Sequence, residues 1–105
     1  MEKDTRHAYM HLFIIILTYK KPLSDVEFFL AEHKKYLNKY YASKTFIVSG
    51  QQNPRIGGVI LCKANDKAGI QSIIEEDPFF IHDIAKYEII EFEATKYLDE
   101  FNQLL

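Results

Sequence analysis

The chain predicts an α+β domain in which four strands and two helices follow one another in the order β-α-β-β-α-β. Three observations lead there. The stretch His11–Tyr19 is apolar on both faces rather than alternating, and so is the second half of Ile56–Ala64. That is the pattern of strands covered above and below, hence central in their sheet. Ser24–Tyr41 repeats apolar residues at Val26, Phe29, Leu30, Leu37, Tyr40 and Tyr41, which is helical spacing with a single apolar face. The order of elements matches the split βαβ, or ferredoxin-like, arrangement. There the first and third strands are the central pair of a four-stranded antiparallel sheet, and both helices cover one face. Strand apolarity and element order therefore agree.

Residues 1–9 form a polar N-terminal extension, and the domain proper covers 10–93. After the first strand, Lys20-Lys21-Pro22 breaks the extended run. Ser24 is placed to cap the first helix, Glu27 three residues on completes a capping box, and Leu23 is placed to staple onto the first turn. The helix ends near Tyr41. Thr45–Ser49 is the second strand, rich in β-branched and aromatic residues. Gly50–Arg55 is turn material, and Ile56–Ala64 returns as the third strand, so the two form a hairpin. Asn65 or Asp66 caps a second helix running to about Glu76, with Ile70, Ile73 and Ile74 as its buried stripe. Asp77 continues that stripe, and Pro78 ends the helix by disfavouring helical geometry before it. Phe79, Phe80 and Ile81 read as an apolar turn plugging an edge of the core. Ala85–Glu93 is the fourth strand; its carboxylates suit an edge. Ile90 and Phe92 face one way, Tyr87 and Ile89 the other. Residues 94–105 form a tail whose Tyr97, Leu98, Phe101, Leu104 and Leu105 are spaced for one helical face.

Composition excludes several classes. A chain of 105 residues with a formal charge of −2 and scattered lysines carries no electrostatic footprint for nucleic acid. The single cysteine, Cys62, permits no intramolecular disulfide framework and no cysteine-based zinc cluster, and within an apolar strand it reads as a small hydrophobe. The longest apolar run, Leu12–Leu17, is far below the roughly 20 residues that span a bilayer. No small-residue cleavage site follows it, so no signal peptide is expected either. The expectation is a cytoplasmic protein with no membrane association. His7, His11 and His82 lack metal-ligand spacing with one another or with the carboxylates, so no metal site is expected; no cofactor is expected either. Helices on one side leave the other sheet face bare, exposing residues such as Phe13, Ile15 or Ile60 according to register. A patch of that size calls for a partner, and the simplest is a second copy, sheet against sheet, as a twofold homodimer.

His33 lies three residues after Leu30 and four before Leu37, on the inward stripe of the first helix. A buried imidazole needs a partner, since leaving it unpaired costs about 1–3 kcal/mol. Asp77 occupies the inward end of the second helix, on the same face of the sheet. A carboxylate on one imidazole nitrogen fixes the tautomer and frees the other as a general acid or base. The same pair also serves as a purely structural hydrogen bond, with Asp77 simply terminating its helix. Ser49 ends the second strand beside Gly50, where the absence of a Cβ lets a ligand approach the backbone; it reads equally as an ordinary strand-end serine. Arg55 is either an anchor for an anionic substrate or a solvated loop charge. Tyr36, Tyr40 and Tyr41 either line an aromatic-binding cleft or pack in the core.

His33, Ser49-Gly50, Gly57-Gly58-Val59-Ile60-Leu61, Asp77-Pro78-Phe79 and Tyr87-Glu88-Ile89, in that order, resemble the YCII-related (YciI-like) family over about residues 10–93. The resemblance implies a dimeric α+β barrel of ferredoxin-like protomers with a cleft holding a His–Asp pair, carried here by His33 and Asp77. Most members of the family have no established reaction; a few similar proteins are dehydrochlorinases acting on chlorinated hydroxyquinols. The extension before the first strand and the tail from Ala94 depart from the family pattern and leave the pocket shape open. The expectation is an enzyme that takes a compact cyclic or aromatic organic molecule and performs proton transfer or elimination. His33 would be the base, Asp77 its orienter, and Ser49, Gly50 and Arg55 the binding residues. The alternative is a non-catalytic binding or interaction module with a structural His–Asp pair.

Overall fold

The computed structural model describes residues 11–105; the extension 1–9 and His7 lie outside them. The elements are β1 (His11–Tyr19), α1 (Leu23–Phe28), α2 (Leu30–Ala42), β2 (Phe46–Gln51), β3 (Gly57–Lys63), α3 (Lys67–Ile74), α4 (Pro78–Ile81), β4 (Ala85–Glu93) and a 3-10 turn over Asp99–Leu104. The sheet order is β2-β3-β1-β4 and its pairings are antiparallel. The two strands that are apolar on both faces are the central pair. This is the expected ferredoxin-like α+β fold, a four-stranded sheet covered on one side by helices.

Register decides which side of each strand is covered. Ile15 sits opposite Ile60 on β3 and Ile89 on β4, and Phe13 opposite Cys62. Phe13, Ile15 and Ile60 are buried in the main core with Val26, Ile70, Ile74 and Phe79. The residues expected on the bare face are therefore the ones under the helices. The bare face instead carries Ile14, paired with Leu61 and Ile90, and Ile16, paired with Val59 and Glu88. The tail crosses one end of that face: Ala94, Tyr97, Phe101 and Leu105 pack on Leu12, Ile47 and Leu61. Lys63 Nζ donates to the Leu104 carbonyl at 2.6 Å. In place of a short helix over 94–105 there is a 3-10 segment over Asp99–Leu104.

Local boundaries differ from expectation in several places. The capping box does not form: Pro22 is the N-cap, and its carbonyl accepts from Asp25 N at 2.9 Å and Val26 N at 3.2 Å. Ser24 lies inside the first turn. Pro22 carries no side-chain acceptor, so the first turn has no side-chain cap. The helix is also divided at Phe29 (φ −99°, ψ 5°), whose ring stacks on His82 at 4.1 Å. Finally, β2 extends through Gly50 and Gln51, and Phe79–Ile81 belong to a one-turn helix that begins at Pro78. Among the described residues no helix is long and apolar enough to cross a membrane.

Candidate functional site

Helical spacing turns His33 from α2 toward the sheet, where it is 9 % exposed. Asp77 meets it there. The residue before Pro78 is held extended (φ −71°, ψ 127°) and so becomes the N-cap of α4, its Oδ1 accepting from Phe79 N at 3.0 Å. The same Oδ1 lies 2.8 Å from His33 Nδ1. Oδ2 accepts from the Tyr87 hydroxyl at 2.5 Å. Asp77 is fully buried, and three donors converge on its two oxygens, an arrangement that suits the acceptor-only carboxylate. With Nδ1–H donated to Asp77, the imidazole has Nε2 free, and among the described residues that nitrogen has no hydrogen-bond partner. The ring is fixed in plane as well, stacked on Phe79 at 4.1 Å with 7° between planes.

Tyr87 and Tyr36 stay phenolic beside this carboxylate. Burial, then the Asp77 charge, pushes both hydroxyls well above the usual tyrosine value. Tyr36 donates to the Ile73 carbonyl at 2.9 Å, tying α2 to α3. Burial likewise pushes the Cys62 thiol up to about 12.

In front of the imidazole lies a cavity of about 150 Å³ between α2 and the sheet. Its floor and walls include Leu17, Leu30, Leu37, Ile60 and Phe79, and His33, Lys34, Ser49, Gly50 and Gln51 add its polar features. A cavity near 150 Å³ with such apolar walls is known to accept a benzene-sized guest. Ser49 Oγ is paired with the Tyr41 hydroxyl at 2.6 Å. A Cβ on Gly50 would meet nothing within 4 Å, so its backbone borders open space. Arg55 is placed elsewhere: its Nη1 donates to Glu27 Oε2 at 3.3 Å, and it is not among the residues lining the cavity. Tyr36, Tyr40 and Tyr41 surround Phe46 at 5.3–6.0 Å between ring centres and pack rather than line the cavity. Among the described residues no group of three His, Cys, Asp or Glu is placed to hold a metal ion.

Three contributors escaped the sequence reading. Tyr87 faces the helices beside Ile89, and a tyrosine on a covered face signals a buried hydroxyl in search of a partner. Phe79, read as a plug, is the plate behind the imidazole. Lys34 lies four residues after Leu30 and three before Leu37, so a lysine on the apolar stripe was the available sign.

The model of the YCII-related domain matches residues 12–93. No curated protein matches the chain in sequence. Among solved structures, the 5-chloro-2-hydroxyhydroquinone dehydrochlorinase TftG from Burkholderia phenoliruptrix, in complex with 2,5-dihydroxybenzoquinone, is similar with a TM-score of 0.66. It is 19 % identical, over 79 % of this chain and 94 % of that one. SnoaB, a cofactor-independent oxygenase from Streptomyces nogalater, is similar with a TM-score of 0.48 at 14 % identity, over 85 % of this chain and 96 % of that one.

Proposed function

The chain belongs to the YCII-related family, and from that premise we propose that it is a small-molecule enzyme that uses His33 as a general base on a one-ring organic substrate. The observation that carries this reading is the imidazole itself. Nδ1 is tied to a buried carboxylate at 2.8 Å while the ring borders a benzene-sized cavity. Nε2 takes a proton from the bound ring, and Asp77 balances the imidazolium that results. In an elimination the pair left behind forms the new double bond, and chloride departs with the carbon–chlorine pair. Ser49 and Gly50 bound the substrate, Ser49 as a hydroxyl donor. Arg55, held by Glu27, is the outlying member of the proposed binding set and acts at most on a ligand that protrudes toward its loop. That TftG is a dehydrochlorinase supports testing chlorinated hydroquinones first.

The partner we propose is a second copy of the chain across the bare sheet face. Val48, Val59, Ile90 and Phe92 are exposed there beside Ile14 and Ile16, and contiguous apolar surface of that kind is normally covered. Sedimentation at micromolar concentration should give twice the chain mass; the monomer mass would exclude it.

The enzymatic test is chloride release and solvent-deuterium incorporation across chlorinated and non-chlorinated hydroquinones. Turnover is expected, and His33→Ala should abolish it with the circular-dichroism spectrum intact. Undiminished turnover in that variant would refute the assignment. A second reading is favoured by one observation: Asp77 also caps α4 and holds Tyr87, so the pair also works as a structural tie in a binding module. Saturable binding without turnover anywhere in the panel would select it.

A further inference from the structure

Among the described residues lining the cavity, Lys34, itself solvent-exposed, is the one that carries a full charge. It stands one position along α2 from His33. Its ammonium has no carboxylate partner among the described residues, a lack it shares with its neighbour Lys35; what sets Lys34 apart is its place on the cavity. Among the described residues no Asp or Glu lines the cavity. Asp77, the nearest buried carboxylate to the imidazole, is turned away and saturated by His33, Phe79 N and Tyr87. The cavity thus combines apolar walls with one uncompensated cation and a hydroxyl, Ser49, whose oxygen is already paired with Tyr41.

A delocalised organic oxyanion on a single ring is the ligand chemistry that satisfies both features. Its flat face suits Leu17, Leu30, Leu37 and Ile60, and its charge suits Lys34. We infer that Lys34 is the specificity-determining residue of the site and that the substrate is bound as, or converted to, the enolate or phenolate of a one-ring molecule. The inference rests on the reading of the cavity as a substrate site. The step balances: an O–H or C–H bond of the ring breaks, the proton goes to His33 Nε2, and the electron pair is delocalised onto the ring oxygen. Lys34 compensates that negative charge and Asp77 compensates the imidazolium. The role foreseen for Arg55 as anion anchor passes to Lys34, because Arg55 already has Glu27.

The test uses 2,5-dihydroxybenzoquinone, an acidic ring that is anionic at neutral pH and is bound by a structural neighbour. Hydroquinone is the uncharged ring of similar size. Affinities are measured by calorimetry at low salt, and binding is located by the His33 ring signals in NMR. The anion is expected to bind more tightly than hydroquinone by about fivefold, the upper range for one partly exposed charge. Lys34→Met should remove that advantage without changing hydroquinone affinity, and Lys34→Arg should restore most of it. Lys35→Met, which removes the same charge one residue away outside the cavity, should preserve it. High salt should erode the Lys34-dependent part. If the anion perturbs His33 but binds Lys34→Met as tightly as the unaltered chain, or loses as much in Lys35→Met, the inference about Lys34 is wrong and the substrate site survives. If neither ring perturbs His33 in the unaltered chain, both are wrong.

Discussion

Replacing Asp77 by alanine removes the acceptor of three hydrogen bonds from a side chain with no solvent exposure. His33 Nδ1–H, Phe79 N–H and the Tyr87 hydroxyl would each be left buried without a partner. One stranded buried donor costs about 1–3 kcal/mol, and losing an N-cap side chain costs about 1 kcal/mol. The terms are not additive, since the vacated space admits water and Tyr87 sits near the sheet edge. Breaking a buried pair by removing one member costs about 3–5 kcal/mol, and that range is the expected loss. For a domain of this size each kcal/mol moves the midpoint by about 4–8 °C, so Tm should fall by at least about 12 °C. Urea denaturation followed by tyrosine fluorescence gives the value, with m unchanged. Asp77→Asn retains one oxygen for Phe79 N and should cost less than half as much, while placing an amide where His33 or Tyr87 needs an acceptor. A loss below about 1 kcal/mol for Asp77→Ala would show that the three hydrogen bonds do not hold this region together.

Other consequences can be checked separately. In Gly57→Ala the new Cβ would lie 1.7 Å from the Leu17 carbonyl oxygen, a backbone atom of the neighbouring strand. A cost of about 3 kcal/mol or more is expected by denaturation, and a neutral result would contradict the β1–β3 register. Cys62, buried and with its thiol pushed up to about 12, should resist alkylation at pH 8 and react fully in denaturant; rapid labelling of the native chain would place it at the surface. Glu76 is held below the usual carboxylate value by the Lys39 ammonium and then the Tyr40 hydroxyl. Its contribution to stability is therefore present above the ordinary value of 4.5 and lost as pH falls through the depressed one. Glu76→Gln should make the fall in urea midpoint between pH 7 and pH 3 shallower, and an unchanged slope would deny the linkage.

The central strands were readable because each carries an unbroken apolar run, although only one face of each lies under the helices: Ile14 and Ile16 of β1 are half-buried on the uncovered side. The same property hid the parity of β1. Phe13 and Ile15 are no more apolar than Ile14 and Ile16, so the covered side depended on register with β3 and on where the helices land. His33 was legible from its place between Leu30 and Leu37. Asp77 was legible as a neighbour and as the end of the second helix, but not as the N-cap of α4, because Pro78–Ile81 reads as an apolar turn rather than as a helix start. The helix break at Phe29 coincides with a stack on His82, a tertiary contact with no local signature. Arg55 lies off the cavity for a similar reason: its ion pair with Glu27, 28 residues away, is a tertiary contact with no local signature.

The stacking of His33 on Phe79 also has a spectroscopic side. Protons held over the face of an aromatic ring are shielded by its circulating electrons. His33, 4.1 Å from Phe79 at 7°, and His82, 4.1 Å from Phe29 at 16°, both sit in that shielding cone. His11, beside Glu91 at 3.4 Å, has no such plate among the described contacts. The imidazoles of His33 and His82 should therefore resonate upfield of His11, and a ligand that tilts the His33 ring away from Phe79 would announce itself as a downfield movement of a single signal.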